Sequence, residues 1–284
     1  TSCAPDSRCA TTVAPSLPVS PGAVGQPMNR EAPVMTDTTF EAEAQVITSL
    51  ANVLARSILP LFTQVSRGKP KLVGSGFLVS SGTNSYLVSA AHVFDELKTG
   101  HELFFYIDPH TKRKLSGSLR LTKMPEGNNR KLDRLDVGVL RLEGPGLPPY
   151  PKVEKYPLAF DALMPNALPR DGKQYLLIGF PESKSRANPI AREVASEIYG
   201  FRNASAAPQK YADLGVSMQS HVVLGFDRKR TVGPDSQIRA FPEPSGISGS
   251  PVWLLYDESG PNDPVQTPVV GVAIEHHKYH HAIV

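Results

Sequence analysis

The sequence predicts an all-β protein made of two similar antiparallel halves, and three observations carry that prediction. The 284 residues include 27 prolines and 22 glycines, a density of turn formers that suits many short strands better than helices. From Ile58 onward, apolar residues come in short runs bounded by turn signals such as Ser81-Gly82-Thr83-Asn84 and Asp108-Pro109. A proline-heavy connector, Gly144-Pro145-Gly146-Leu147-Pro148-Pro149-Tyr150-Pro151, then separates the earlier runs from a later set in the same style.

The elements follow in chain order. Residues 1–37 hold prolines at 5, 15, 18, 21, 27 and 33 among Ala, Ser, Thr and Val. Such a stretch buries too little apolar surface to offset its ordering entropy, so a disordered arm is expected. An amphipathic helix is expected over 38–57: Thr38-x-x-Glu41 has capping-box spacing, and Val46, Ile47, Leu50, Val53 and Leu54 recur at helical intervals until Pro60 ends it. It reads as a helix packed on the outside of the domain. Strands are expected at Ile58–Val65, Leu72–Val79, Ser85–Ser89, Leu103–Ile107, Leu115–Thr122 and Val137–Leu142. Six antiparallel strands suffice to close a small barrel. Beyond the connector, strands are expected at Tyr175–Phe180, Glu193–Tyr199, Val216–Leu224, Val252–Tyr256 and Val269–Glu275, and His281-Ala282-Ile283-Val284 starts a last one.

Composition narrows the function classes. The chain is 40% hydrophobic, and 30 basic residues against 27 acidic give a net charge of +3. The basic residues are scattered, which argues against nucleic acid as a partner. No apolar run approaches the roughly 20 residues of a membrane span. Position 1 is not Met and no signal-peptide core is visible, so the chain reads as a processed form or a fragment. The two cysteines, Cys3 and Cys9, both lie in the arm and read as incidental thiols. The domain that follows has none, which tilts the expected localisation slightly toward the cytoplasm.

The stretch richest in chemistry lies near the C-terminus: Pro244-Ser245-Gly246-Ile247-Ser248-Gly249-Ser250-Pro251. Acyl transfer needs a hydroxyl standing out from a tight turn whose backbone N–H groups converge on one point. Taken alone, Gly-x-Ser-Gly is more often a structural turn. Two upstream segments shift the balance. Ser85-Tyr86-Leu87-Val88-Ser89-Ala90-Ala91-His92 is a strand running into small residues and then a histidine. Leu135-Asp136-Val137-Gly138-Val139-Leu140 is a strand entered by a single aspartate. Asp133 is a rival for Asp136, but it sits in the charged loop Asn129-Arg130-Lys131-Leu132-Asp133-Arg134 and not at a strand entry. Ser245 and Ser250 lack the glycine surround of Ser248, and hydrogen bonding within the turn is their expected role.

With Gly74-Ser75-Gly76-Phe77-Leu78-Val79, Ala90-Ala91-His92, Asp136-Val137-Gly138 and Gly246-Ile247-Ser248-Gly249-Ser250-Pro251 in this order, the sequence resembles the chymotrypsin/trypsin-like serine peptidase family in its compact bacterial-type branch, over roughly 58–284. The resemblance implies two six-stranded antiparallel β-barrels, the first at 58–143 and the second at 150–284, with the active site in the cleft between them. It implies a serine endopeptidase acting on peptide or protein substrates through a triad of His92, Asp136 and Ser248. The oxyanion hole would be the N–H groups of Gly246 and Ser248. A catalytically inactive fold that binds peptides in the same cleft is the alternative, and an esterase-like use of the triad is a weaker third. One departure stands out. Ile247 occupies the place where the digestive branch has the aspartate that pairs with a new N-terminal amine, so activation by that route is not expected; packing of Ile247 between Pro244 and Pro251 is expected to hold the loop instead.

The substrate pocket implied by the resemblance involves Pro242, Glu243, Ile274, Glu275 and His276. Pro242 stands where the trypsin branch carries an acidic residue, so Arg/Lys cleavage is not supported unless Glu243 or Glu275 substitutes. No cofactor or metal is expected: His276, His277, His280 and His281 follow a strand with no acidic or cysteine ligand fixed nearby, and they read as a solvated hairpin. Asn203-Ala204-Ser205 fits a glycosylation acceptor by chance.

Overall fold

Strict alternation along the strands decides which of three apolar layers each side chain enters. The computed structural model describes residues 49–284 other than 65–68, 99, 109, 126, 128, 144–155, 165–172, 189–192, 227–230, 233–237, 241, 256–266, 275, 278–281 and 284. The arm, Cys3 and Cys9, and the front of the expected helix with Val46 and Ile47 lie outside the described residues. All described residues belong to one compact unit, Asp37–Val284.

The first half contributes β1 (Ile58–Gln64), β2 (Pro70–Ser81), β3 (Asn84–Ala90), β4 (Leu103–Asp108), β5 (Thr111–Lys114), β6 (Gly117–Leu121) and β7 (Val137–Leu142). They form one antiparallel sheet in the order β5-β4-β1-β2-β3-β7-β6. The expected single strand Leu115–Thr122 is in fact the second limb of a bent ribbon, β5–β6. Its bend closes the sheet: Leu115 N–H donates to Leu103 C=O on one side (2.8 Å), and Ser116 C=O accepts from Glu143 N–H on the other (3.2 Å). Counting the bent ribbon once, the barrel has six strands. A short β8 (Leu158–Ala159) runs parallel beside β2.

The second half is built from shorter strands. Its strands are β9 (Gln174–Gly179), β10 (Ser185–Asn188), β11 (Glu193–Ser196), β12 (Tyr199–Ala204), β13 (Leu224–Gly225), β14 (Thr231–Val232), β15 (Ile238–Arg239), β16 (Pro251–Leu255), β17 (Val269–Val272), β18 (His276–His277) and β19 (Ala282–Ile283). The sheet β12-β9-β16-β17 and the sheet β13-β19-β18 are joined by the bridge Ser205–Leu224. Among the described residues β10–β11 and β14–β15 stand as separate pairs.

Side chains sort by parity, as the two-residue period of a strand requires. Leu59, Leu61, Leu78, Leu87, Leu103, Phe105 and Leu140 fill the first barrel. Tyr175, Leu177, Phe201, Val252 and Leu254 fill the second. Their neighbours Ile58, Phe62, Phe77, Phe104, Leu176, Ile178, Trp253 and Leu255 point the other way and form a layer shared by both halves. Strands buried on both faces have to be continuously apolar, which is how they look in sequence. Two antiparallel barrels packed through a common layer make the chymotrypsin-like architecture that the resemblance implies.

Three helices complete the described part: α1 at 49–54, α2 at Ala91–Lys98 and α3 at Pro208–Leu214. The first runs into a 3-10 turn, Ala55–Ser57, and ends before Pro60, which is paired with Ser75 inside β1. Its apolar stripe is narrower than expected, since Leu54 is buried and Val53 is 60% exposed. The strand expected over Val216–Leu224 is mostly turn, and only Leu224 joins β13. Among the described residues no helix is long and apolar enough to cross a membrane.

Candidate active site

Asp136 enters β7 in the left-handed region, φ +39°, a conformation that aspartate tolerates better than most residues. From there it caps α2. Its carbonyl accepts Ala91 N–H (2.7 Å), and its Oδ1 accepts His92 N–H (2.9 Å). Both are first-turn donors that the helix itself cannot satisfy. The other carboxylate oxygen, Oδ2, lies 2.5 Å from His92 Nδ1. One buried carboxylate (7% exposed) therefore fixes both the backbone and the ring of His92. The imidazole remains 38% exposed, and among the described residues its Nε2 has no hydrogen-bond partner.

The rival Asp133 is also buried but does different work. Its Oδ2 accepts from Thr122 Oγ1 (2.5 Å) and from Arg130 Nη1 (2.6 Å), and its Oδ1 accepts from Leu135 N–H (3.1 Å). Arg130 also binds Asp95 of α2 through Nε at 2.9 Å. Burial pushes the Asp133 carboxyl up, but the hydrogen bonds from Thr122, the Asp136 N–H, Arg130 and the Leu135 N–H together hold it below its ordinary value. The Asp95 carboxylate, foremost, raises the Arg130 guanidinium, so it stays charged.

The Ser248 turn comes from the second half and is seated on the first. Ser75, in the middle of β2 and fully buried, binds it twice and ties it to the end of β9. Its N–H donates to Ser248 C=O (2.8 Å), its Oγ donates to Gly246 C=O (2.8 Å), and that same Oγ accepts Phe180 N–H (3.0 Å). Gly249 (φ +89°) is pressed against the Ser75 carbonyl, the Ser89 hydroxyl and Ala90 N–H, which places the turn beside the residues leading into His92. Gly246 (φ +91°) has no room for a Cβ either, because it would stand 2.7 Å from Leu72 and 2.8 Å from both Glu182 N and Phe180 O. Ser245 C=O is taken by Glu182 N–H (2.6 Å). Because the N–H and C=O of a peptide point to opposite sides, this contact turns the Gly246 N–H the other way. Among the described residues neither that N–H nor the Ser248 N–H donates to any acceptor, and the Ser248 hydroxyl is unpartnered as well.

Ile247 is 2% exposed and packs with Tyr175, Leu177 and Phe201 inside the second barrel. Hydrophobic burial thus occupies the place of the digestive enzymes' salt bridge. Ser250 departs from expectation, since its hydroxyl is buried without a partner. Of the expected pocket residues, Glu243 is exposed and Pro242 half-buried on the approach to the turn. Ile274 lines a cavity of about 170 Å³ with Leu135, Val137, His221, Val272 and Ala273. Glu275, His280 and His281 lie outside the described residues, and His276 and His277 open a hairpin with Ala282–Ile283. Asn203 donates to Gly225 C=O (2.5 Å) and accepts Ala204 N–H (2.7 Å), so its amide is already used inside the sheet.

Sequence reasoning missed Ser75. The signal was a small polar residue between two glycines in a strand that is otherwise apolar. Removing its hydroxyl in Ser75→Ala takes a hydrogen bond from the half-buried Gly246 C=O and another from the buried Phe180 N–H. A loss of about 2–4 kcal/mol is expected, read as a lower urea midpoint at unchanged m-value.

No family model and no curated protein matches the chain in sequence. Among solved structures it is similar to neuropsin, a serine protease expressed in the limbic system of mouse brain, at 14% identity and a TM-score of 0.42, covering 76% of this chain and 88% of that one.

Proposed function

We propose that this protein is a serine-type endopeptidase that hydrolyses peptide bonds through His92, Asp136 and Ser248. The observation that carries the reading is the grip of Asp136 on His92, 2.5 Å at the ring and 2.9 Å at the backbone. A neutral imidazole bonded to a carboxylate through Nδ1 holds its proton there, which leaves Nε2 as the base. Ser248 Oγ attacks the substrate carbonyl as Nε2 takes its proton, and Asp136 stabilises the imidazolium that results. Nε2 then gives the proton to the leaving amine, and water removes the acyl group from Ser248 by the same steps in reverse.

The negative oxygen formed on attack is accommodated by the unspent N–H groups of Gly246 and Ser248, each such donor being worth about 10²–10³ in turnover. They need no activation cleavage in this reading, because Glu182 N–H, Ser75 Oγ and the buried Ile247 hold the loop. The hydrogen bond between nucleophile and base is commonly loose in free enzymes and tightens with substrate.

A fluorophosphonate probe tests the proposal. Labelling located at Ser248 by mass spectrometry, and absent from Ser248→Ala, is the expected result. Well-folded protein that takes no label would overturn it and favour the inactive peptide-binding module. For an active protein, cleavage profiling on a peptide library gives the specificity, with no preference for Arg or Lys expected from Pro242.

A further inference from the structure

We infer that Asp133, acting with Thr122, is a positioning residue that holds the Asp136 loop in the one backbone conformation able to reach His92. The inference rests on the triad reading above, but its geometry is independent of it. Asp136 sits at a positive φ, which a non-glycine residue keeps only when its surroundings over-determine it. Two hydrogen bonds, one on each side of it, supply that over-determination. Asp133 accepts the N–H of Leu135 through Oδ1 at 3.1 Å. Thr122 Oγ1 accepts the N–H of Val137 at 3.1 Å while donating to Asp133 Oδ2. The amides of the residues before and after Asp136 thus end on Asp133 and on the hydroxyl that Asp133 orders.

The clamp is also tied to the histidine side of the site. Arg130 spans Asp133 and Asp95, and Asp95 lies one turn beyond His92 on α2. Arg130 Nη1 further donates to Thr122 C=O at 3.2 Å. One guanidinium, 10% exposed, therefore links the helix that carries His92 to the loop that carries Asp136. No member of this group touches the place where a substrate would react. Its effect passes through the Asp136 loop and, by way of Arg130 and Asp95, through α2.

The test uses Asp133→Asn, Thr122→Val and Thr122→Ser in the full chain. Asp133→Asn introduces N–H groups where acceptors are needed. Thr122→Val removes the hydroxyl without changing any charge, which excludes a mere electrostatic effect on the ring. The first readout is the far-downfield proton resonance of the His92 Nδ1–H, assigned by its absence in His92→Ala. We expect it in the wild type and in Thr122→Ser, and lost or broadened in the other two. The second readout is turnover, where Asp133→Asn is expected to lose about 10²-fold in kcat, the scale of a 1 Å misplacement, with KM unchanged. Thr122→Val moves the same way, and Thr122→Ser restores the rate. Should Asp133→Asn fail to fold, Thr122→Val decides. Folded variants that keep the wild-type resonance overturn the inference whatever the turnover. A wild type that shows the resonance and no turnover would sink the peptidase reading and leave the positioning role standing.

Discussion

Asp136→Asn is expected to lower kcat on a peptide substrate by about 10⁴-fold while KM and the melting temperature change little. The amide is nearly the same size as the carboxylate, and its oxygen can still accept the His92 N–H at the start of α2. The cap and the left-handed turn therefore survive. What changes is the atom facing the ring. An NH₂ group opposite His92 Nδ1 can only donate, so Nδ1 must accept, and the ring proton moves to Nε2. An imidazole in that tautomer cannot take a proton from Ser248. The defect thus falls on the chemical step and not on substrate binding. Steady-state kinetics with a matched thermal melt separates the two: a fall in kcat of less than tenfold in folded protein would mean that Asp136 serves only as a helix cap.

Legibility in the sequence differed between the halves for physical reasons. In the first barrel, strands are buried on both faces, so β1, β2, β3, β4 and β7 stand out as apolar runs close to their observed bounds. The second half spends residues on irregular excursions. The α3 helix went unread although Pro208 in its first turn and Gly215 just beyond it, at φ +63°, are ordinary start and stop signals. The strand β12, Tyr-Gly-Phe-Arg-Asn-Ala, is half-buried and broken by glycine, and pattern alone does not find it. Closure of the first barrel by a bent ribbon is likewise invisible, because it depends on hydrogen bonds at one corner.

The same division holds at the site. His92 and Asp136 are legible because a lone histidine after small residues, and a lone aspartate opening an apolar strand, each sit where strand propensity alone would not put them. Asp133 is legible only as a competitor. An aspartate that bonds the N–H two residues on is the usual start of an Asx turn, and that clue names the role it has here. Ser75 belonged to a quoted motif, yet its hydroxyl joins segments 105 and 171 residues away, a relation that spacing does not reveal.

Gly249→Ala is expected to be severely destabilising, beyond about 4 kcal/mol. Two costs combine. At φ +89° any L side chain is strained, and the added Cβ would overlap the Ser75 carbonyl oxygen and the Ser89 hydroxyl while standing 3.0 Å from Ala90 N. Those atoms have little freedom to yield, because Ser89 Oγ donates to that same carbonyl at 2.6 Å and both serines are fully buried. Gly82→Ala supplies the control. It also has a positive φ, +58°, but nothing lies within 4 Å of its Cβ position, so it carries the backbone strain alone, about 1–2 kcal/mol. The difference between the two midpoints in urea then measures the collision by itself. A large difference is what a Ser248 turn pressed onto the middle of β2 and the end of β3 requires; equal midpoints would mean that the turn rides free of them, and the proposed pairing of Ser248 with His92 would lose its physical basis.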